Sequence, residues 1–156
     1  MEKLTYGKGR MYSMKFSEVD EQTWPDLQLY YDTCVIPYTG LTGKETPWEA
    51  TSSLERLRDF MDLVEIPFKG RVVTYPAMQY GGEGMLKSLN DICHNVKSAG
   101  FTYVIVMTAD IELDQQDIPE SALVLSQPRI SARGEGPISV TITNLISELW
   151  QNSDQA

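Results

Sequence analysis

The chain has 156 residues, of which 42% are hydrophobic and 22% are charged, and this composition is typical of one globular domain. Its formal net charge is −9, from 13 Lys and Arg against 22 Asp and Glu. A surface this acidic repels nucleic-acid phosphates and anionic lipid headgroups, so the composition excludes nucleic-acid binding and membrane-surface binding as main functions.

The sequence also lacks signals for export or membrane insertion. Its longest uninterrupted apolar run is YVIVM, residues 103–107, much shorter than the roughly 20 residues that span a bilayer. No apolar signal segment is visible near the N-terminus. The two cysteines, Cys34 and Cys93, are far apart in sequence and are expected to be reduced, buried residues. We therefore expect a cytoplasmic protein without membrane insertion.

The first thirteen residues differ from the rest of the chain. They read MEKLTYGKGRMYS, with three basic residues against one acidic residue and no apolar periodicity. We expect residues 1–13 to be a non-native or disordered extension and residues 14–156 to form a single α/β domain.

The domain begins with weak structural signals and then shows a clear strand. Ser17 is expected to cap a short helix, which the pair Trp24-Pro25 interrupts. The β-branched stretch DTCVIPY, residues 32–38, predicts a first strand that stops near Gly40.

The stretch TPWE predicts the best-defined helix of the chain. Thr46 can act as the N-cap, Pro47 fits the first helical position, and Glu49 completes a capping box. Apolar residues at helical spacing continue the helix to about Glu65.

Two strands and a helix follow. RVVTYPAMQY, residues 71–80, predicts a second strand in which Pro76 makes the second half an edge or a bend. Apolar spacing over residues 86–96 predicts a helix that Gly100 closes. FTYVIVMTAD, residues 101–110, predicts a buried third strand near the centre of the sheet.

The last third completes the predicted architecture. A fourth strand is expected at residues 122–128, a loop at 129–137, and a C-terminal helix from Ile138 to Leu149. The order β-α-β-α-β-β-α predicts an α/β fold. We expect a three-layer sandwich with a mostly parallel sheet of four to five strands and helices on both faces.

Ligands of parallel α/β sheets bind beyond the carboxyl ends of the strands. The residues expected there come from three strand ends and from a glycine-bearing loop with two arginines. That loop is expected to be solvated, and the alternative is that its arginines hold a carboxylate or phosphate. The expected residues are Thr39, Tyr80, Gly81, Gly82, Gly84, Asp110, Arg129 and Arg133. These residues form the candidate ligand-binding set, and the sequence assigns no catalytic residue, no metal site and no cofactor.

The stretch YGGEGMLKS, residues 80–88, looks at first like a phosphate-binding loop. Such a loop needs a glycine directly before the lysine, and Leu86 stands there instead. Glu83 also places a carboxylate where a polyanion would bind. The three glycines therefore predict a strand-to-helix turn with positive φ, and a simple anion site at the helix N-terminus remains the alternative.

The carboxylates and the single histidine do not predict a metal or catalytic site. If the first and third strands are parallel, Asp32 and Asp110 lie at opposite edges of the sheet, about 16 Å apart. The acidic residues from Asp110 to Asp117 lack the spacing of a calcium-binding loop and are expected to be solvated. His94 follows Cys93 on a helix, where neighbours do not face each other, so it is expected at the surface.

Seven aromatic residues lie near the predicted strand ends and connections. They are Trp24, Tyr30, Tyr31, Tyr38, Trp48, Tyr75 and Tyr80. We expect them to pack in the core and at its rim. The alternative is a surface that binds a protein partner or a second copy of the chain.

Four stretches, MKFSEVD, YYDTCVIPYTG, FKGRVVTYPAMQY and YVIVMTAD, occur in this order. Together they resemble the YpiF-like family of small uncharacterised proteins from spore-forming Gram-positive bacteria, over roughly Met14 to the C-terminus. The resemblance implies no activity, no cofactor and no catalytic residue.

The sequence therefore favours a non-catalytic binding or accessory module that acts on a protein partner or as a homo-oligomer. The alternative is a small-molecule or nucleotide-type enzyme with its site at the carboxyl ends of the strands. A concave pocket with converging polar groups would favour the enzyme, whereas a flat aromatic surface would favour the binding module.

Overall fold

A computed structural model describes residues 14–155 and has the predicted α/β class, with helices on both faces of a parallel sheet. The extension predicted at residues 1–13 lies outside the described residues. Within those described residues there are five helices: α1 (Trp24–Leu27), α2 (Pro47–Glu65), α3 (Glu83–Ser98), α4 (Gln127–Arg133) and α5 (Ile138–Gln155). Two 3-10 turns, Phe16–Glu18 and Gln115–Asp117, accompany them in the described part of the chain.

In the part of the chain that the structure describes, the sheet contains six strands. They are β1 (Met14–Lys15), β2 (Thr33–Leu41), β3 (Val72–Thr74), β4 (Met78–Tyr80), β5 (Tyr103–Thr108) and β6 (Leu123–Ser126). Their order is β1-β3-β2-β5-β6, with β4 also paired to β2, and the pairs are parallel. The prediction of four to five strands is therefore one short. The predicted second strand divides into β3 and β4, and β1 is too short to show alternation in the sequence.

Pro25 and Pro128 both begin helices, where the sequence predicted a break and the end of a strand. The loop expected at 129–137 is wrong over its first half, because α4 ends only at Arg133 and has Pro128 in its first turn. The break expected at Trp24-Pro25 is also wrong, since Pro25 occupies the first turn of α1. A proline fits there because the first helical N–H groups have no intrahelical acceptor.

The start of the domain differs from its prediction as well. Ser17 lies inside the 3-10 turn Phe16–Glu18 and does not cap a longer helix. The Glu18 carboxylate accepts the backbone N–H of Lys15 at 2.9 Å. This hydrogen bond turns the chain directly after β1, which is held against β3.

β2 runs through Pro37 to Leu41, further than predicted. The Tyr75 N–H donates to the Val35 carbonyl at 2.8 Å, so Val35 and then Pro37, two residues later, direct their backbone toward β3 and β4. β3 has ended at this point and β4 has not begun. The nitrogen of Pro37, which carries no hydrogen, therefore faces the gap between β3 and β4, where no strand needs its hydrogen bond. This gap allows a proline inside an interior strand.

The hydrophobic core has one half on each face of the sheet. On one face α2 and α5 contribute buried residues such as Phe60 and Ile142. On the other face α3 contributes Leu89 and Cys93, which pack with Cys34 of β2. Both cysteines are buried and free, as predicted.

The strand order fixes where a ligand site would form. The chain passes from β2 to β3 on one side and later to β5 on the other side, so the direction of winding reverses between β2 and β5. Asp32 precedes β2 and Asp110 follows β5, and these strands are parallel. The two carboxylates therefore lie at opposite edges of the sheet, as predicted.

Candidate functional site

The predicted ligand-binding residues lie along the carboxyl edge of the sheet in the order of the strands. Tyr80 ends β4, Thr39 lies near the end of β2, Asp110 follows β5, and Arg129 and Arg133 belong to α4 after β6. Three strand spacings separate β4 from β6, which corresponds to about 14 Å. The structure therefore places these residues on one edge but spreads them over its width.

Two grooves open at this edge. The first, the Trp48 groove, has a volume of about 570 Å³ and is lined by Thr42, Lys44, Glu45, Trp48, Glu49, Ser52, Ser53 and Arg56. The second, the Arg129 groove, has a volume of about 320 Å³ and is lined by Leu113, Asp114, Gln115, Gln116, Leu123, Val124, Ser126, Arg129, Ile130, Arg133 and Leu145. Arg129 and Arg133 thus share a groove, whereas Asp110 borders the other groove through Arg56.

Asp110 is bound by an arginine from α2. The Arg56 guanidinium donates two hydrogen bonds to the carboxylate, at 2.8 and 2.9 Å, and a third to the Ser53 hydroxyl at 3.0 Å. The hydrogen bonds from Arg56 hold the pKa of Asp110 below its usual range, against the opposing effect of partial burial. Asp110 is therefore a charged side chain at this edge, and Arg56 donates a hydrogen bond to each of its carboxylate oxygens.

The Glu45 carboxylate holds together the loop from β2 to α2, of which it is a part. Glu45 accepts the backbone N–H groups of Thr42 and Gly43, each at 2.9 Å, and the Thr42 hydroxyl at 3.0 Å. These hydrogen bonds, first that from the Thr42 backbone, lower the pKa of Glu45. The loop then enters α2 through the predicted capping box of Thr46 and Glu49.

Two glycines allow close packing around the end of β2, one against Ile111 and the other against the β2 backbone. Gly40 has φ +82°, and a Cβ there would lie 2.5 Å from the Ile111 side chain. A Cβ on Gly81 would lie 3.0 Å from the Gly40 backbone. Beside them, Thr39 is 3% exposed, and its hydroxyl has no hydrogen-bond partner among the described residues.

The glycine-rich stretch after β4 is a strand-to-helix turn. Gly82 has φ +119° and is the N-cap of α3, which confirms the predicted positive φ. Gly84 lies within α3. Lys87 is also inside the helix, where it pairs with Asp91 at 3.1 Å and remains largely exposed. The lysine is thus oriented by its own helix and not by a phosphate-binding loop.

The seven aromatic residues divide into packed and exposed groups. Tyr38 is buried, and Trp24, Tyr31 and Tyr75 pack partly buried against the core. The expectation of core packing is wrong for Tyr30, Trp48 and Tyr80, which are 68%, 70% and 65% exposed.

Two of the exposed aromatics flank the end of β2. Tyr80 pairs with Leu41, and the next residue, Thr42, lines the Trp48 groove together with Trp48. Tyr30 lies elsewhere, just before the start of β2, next to Leu29, which is 84% exposed. The carboxyl edge therefore presents a tryptophan and a tyrosine to solvent around one groove.

The sequence did not single out Ser53 and Arg56 as site residues, and it named Trp48 only among the seven aromatic residues with a partner-binding surface as the alternative. Ser53 and Arg56 are three residues apart on α2, so they share a helix face. Because α2 follows β2 after a short loop, the three-residue spacing of Ser53 and Arg56 could have predicted that both lie near the carboxyl ends of the strands.

The remaining titratable residues do not assemble a reactive cluster in the described part of the chain. No group of three or more His, Cys, Asp or Glu side chains among the side chains described, residues 14–152, is arranged to hold a metal ion. His94 is exposed, as predicted, and its Nδ1 lies 3.2 Å from the Glu120 carboxylate. None of the described helices has the length and apolar character needed to cross a membrane.

Comparison with known proteins identifies the family. No curated protein and no solved structure is significantly similar to the chain. The family described as proteins of unknown function, DUF2487, matches residues 22–132. The matched region runs from just before α1 into α4 and contains β2 to β6, and therefore nearly all of both grooves. The chain belongs to the DUF2487 family.

Proposed function

We propose that the protein is a non-catalytic binding module that docks a protein partner at the Trp48 groove and the adjoining Tyr80. The observation that carries this proposal is the exposure of Trp48 and Tyr80, 70% and 65%, on either side of the end of β2. Arg56, in the same groove, has a side chain 54% exposed. Tryptophan, tyrosine and arginine are the residues that most often dominate the binding energy of protein interfaces.

The charged groups around the groove support binding over catalysis. Asp110 is bound by Arg56, Glu45 closes its own loop, and Glu49 completes the capping box of α2. A general base must be able to accept a proton from a substrate. These three carboxylates already accept hydrogen bonds from the protein, and this favours a role in binding over a role as a general base.

The net charge favours a particular class of partner. A body of net charge −9 attracts basic surfaces and accelerates their association at low ionic strength. We therefore infer a partner whose contacting surface is basic or neutral, with an apolar pocket for Trp48.

Site-specific photo-crosslinking in the source organism tests this proposal. A benzophenone amino acid at Lys44, with Trp48 and Tyr80 intact, should give a discrete crosslinked product. That product should disappear when Trp48→Ala and Tyr80→Ala are added. The matched control places the same crosslinker at Lys69, which is exposed between α2 and β3 at the opposite edge. Equal products at both lysines, or a product insensitive to the two alanines, would contradict the proposal.

One observation favours a small-molecule enzyme as the second candidate. The buried Thr39 hydroxyl, unpartnered among the described residues, lies near the switch point between β2 and β5, where such sites form. A thermal-shift screen with nucleotides, sugar phosphates and divalent metals tests it. A stabilisation of several degrees that Asp110→Ala abolishes would support the enzyme over the binding module.

We also infer the narrower YpiF-like grouping, a bacterial source and a cytoplasmic location. The four stretches that carry the resemblance fall on β1, on β2, on β3 with β4, and on β5. They therefore cover most of the sheet, which supports a likeness in fold.

A further inference from the structure

The amino edge of the sheet contains a complete arrangement of tryptophan, arginine and carboxylate. The Arg71 guanidinium carbon lies 3.9 Å from the centre of the Trp150 ring. The same guanidinium donates two hydrogen bonds to the Asp32 carboxylate, at 2.9 and 3.0 Å. A guanidinium is planar, so its face can stack on an indole while the N–H groups on its edge bind a carboxylate.

The Trp48 groove contains the tryptophan of such an arrangement. Trp48 is 70% exposed, so most of its indole is open to a partner. The electron-rich face of an indole attracts cations more strongly than that of tyrosine or phenylalanine. The groove is therefore suited to a cation if it also offers a carboxylate.

Two of the charged groups at this groove are already occupied. Arg56 is paired with Asp110, so its charge is neutralised. Glu45 accepts hydrogen bonds from its own loop on both of its oxygens. Neither the pair nor Glu45 is therefore the main charge that a partner meets.

Glu49 differs from Glu45 because one of its oxygens is unused. Its hydrogen bonds from the backbone N–H and the hydroxyl of Thr46, at 2.9 and 3.1 Å, both end on Oε1. Within residues 14–152, no hydrogen bond from the protein reaches Oε2. Glu49 is exposed and lines the groove together with Trp48. The groove therefore has the tryptophan and the carboxylate, and it lacks the arginine.

Lys44 is the opposing charge of the groove. It is exposed, and no carboxylate in the described part of the chain pairs with its ammonium. The unneutralised groups of the groove are thus one cation, Lys44, and one anion, Glu49. The net charge of −9 on the whole chain decides between them, because it favours the approach of a positively charged group.

We propose that the Trp48 groove binds an arginine side chain of the partner protein, with the guanidinium stacked on the Trp48 indole and an N–H group donating to Glu49 Oε2. This inference rests on the proposed function and names the residue that the partner contributes. The guanidinium covers one face of the indole, which leaves the rest of the ring for the apolar pocket inferred above. Lysine fits less well, because its ammonium is a compact, strongly hydrated charge.

Charge argues against two other occupants. A second copy of the chain would bring another body of net charge −9, which repels the first. An anionic ligand would meet the carboxylates of Glu45 and Glu49, which both line the groove. Both occupants are distinguishable outcomes of the experiment that follows.

The probe is a random phage-displayed library of peptides about 12 residues long, selected against the full chain. Selected peptides that fail to bind Trp48→Ala should share an arginine. Replacing this arginine with citrulline, which has the same shape without the charge, should weaken a synthetic peptide by about tenfold or more. Lysine at the same position should weaken it by a smaller factor. Isothermal titration calorimetry measures each affinity.

Three charge variants of the protein test where the arginine binds. Glu49→Gln should weaken the peptide by about twofold to fivefold. Glutamine also completes a capping box, so α2 should keep its start. Lys44→Gln should strengthen binding, because it removes a charge of the same sign as the arginine. Glu55→Gln is the matched control, since Glu55 is exposed on the same helix outside the groove, and it should bind the peptide normally.

Different failures identify different errors. Trp48-dependent peptides without arginine, or peptides insensitive to citrulline or to Glu49→Gln, would overturn this inference and leave the groove as a docking site. A library without any Trp48-dependent peptide would contradict both the inference and the proposed function. Stronger binding by Glu49→Gln with weaker binding by Lys44→Gln would identify an anion as the occupant. A dimer that Glu49→Gln dissociates would identify a second copy of the chain instead.

Discussion

At the scale of single residues, bidentate arginine–carboxylate pairs mark both edges of the sheet. Arg56 binds Asp110 at the carboxyl edge. Arg71 binds Asp32 at the amino edge, at 2.9 and 3.0 Å, and its guanidinium carbon lies 3.9 Å from the centre of the Trp150 ring. Each pair joins residues far apart in sequence, so each one fixes how separate elements meet.

The Asp110 pair predicts a pH dependence of stability. Hydrogen bonds from Arg56 lower the pKa of Asp110 in the folded state. Such a carboxyl stabilises the fold above its unfolded pKa, about 4, and this contribution is lost as the pH falls through the lower folded value. We expect the free energy of unfolding to decrease more in the wild type than in Asp110→Asn over this acidic range.

Urea unfolding at a series of pH values measures this difference. The effect will be modest, because the half-exposed Arg56 is screened by solvent. Asp59→Asn is the control, since Asp59 is exposed and contacts only its neighbour Arg58 among the pairs described here. Identical pH profiles for the wild type and Asp110→Asn would show that the pair contributes nothing.

Arg71→Lys is expected to lower the free energy of unfolding by about 1 kcal/mol or more. Lysine cannot donate the paired hydrogen bonds to Asp32, and its ammonium does not stack on Trp150 as a guanidinium does. Arg58→Lys, an exposed arginine on α2, is the matched control and should change little. Denaturant unfolding followed by far-ultraviolet circular dichroism measures both variants, and equal losses would contradict the proposed role of Arg71.

At the scale of secondary-structure elements, local signals predicted the long helices well. The capping box of Thr46 and Glu49 is present at the start of α2, and the apolar spacing of α3 and α5 lies on buried faces. Pro25 misled the prediction because a proline fits both a turn and the first turn of a helix. Only the residues that pack around each helix decide between the two.

The glycines of the turn before α3 give a matched pair of variants. Gly82→Ala should destabilise the fold by about 1 kcal/mol or more, because φ +119° is unfavourable for a residue with a Cβ. Gly84→Ala should stabilise it by up to about 1 kcal/mol, because Gly84 is helical and a Cβ there meets open space. Thermal unfolding measures both, and a shift of the same sign in the two variants would refute this account of the turn.

At the scale of the whole molecule, the two thiols report the opening of the core. Burial raises the pKa of Cys93 to about 12 and raises that of Cys34 well above its usual range. Neither thiol should react with a disulfide reagent in the native state, since the thiolate is the reactive form. Both should react together at a rate set by global unfolding.

Labelling in increasing urea, read by mass spectrometry, tests this expectation. The free energy of opening derived from each thiol should equal that of global unfolding. The fully unfolded chain is the control for intrinsic reactivity. Rapid native labelling of one cysteine alone would mean that the α3 face opens separately from the rest of the sheet.

The sequence by itself determined the α/β class, the four main strands and the long helices. These features depend on local periodicity, capping and chain order, which a sequence contains directly. The sequence also indicates that Arg129 and Arg133 lie near each other, because both residues follow the same strand within a few positions.

Only the tertiary structure decided that Arg56 binds Asp110 and that Trp48 and Tyr80 remain exposed. Arg56 and Asp110 are 54 positions apart, and no local pattern links them. Each of these features depends on which strands become neighbours and which helix covers each face. Long-range packing decides which elements become neighbours. Local sequence places apolar residues on one face of an element, but it does not specify which other element buries that face.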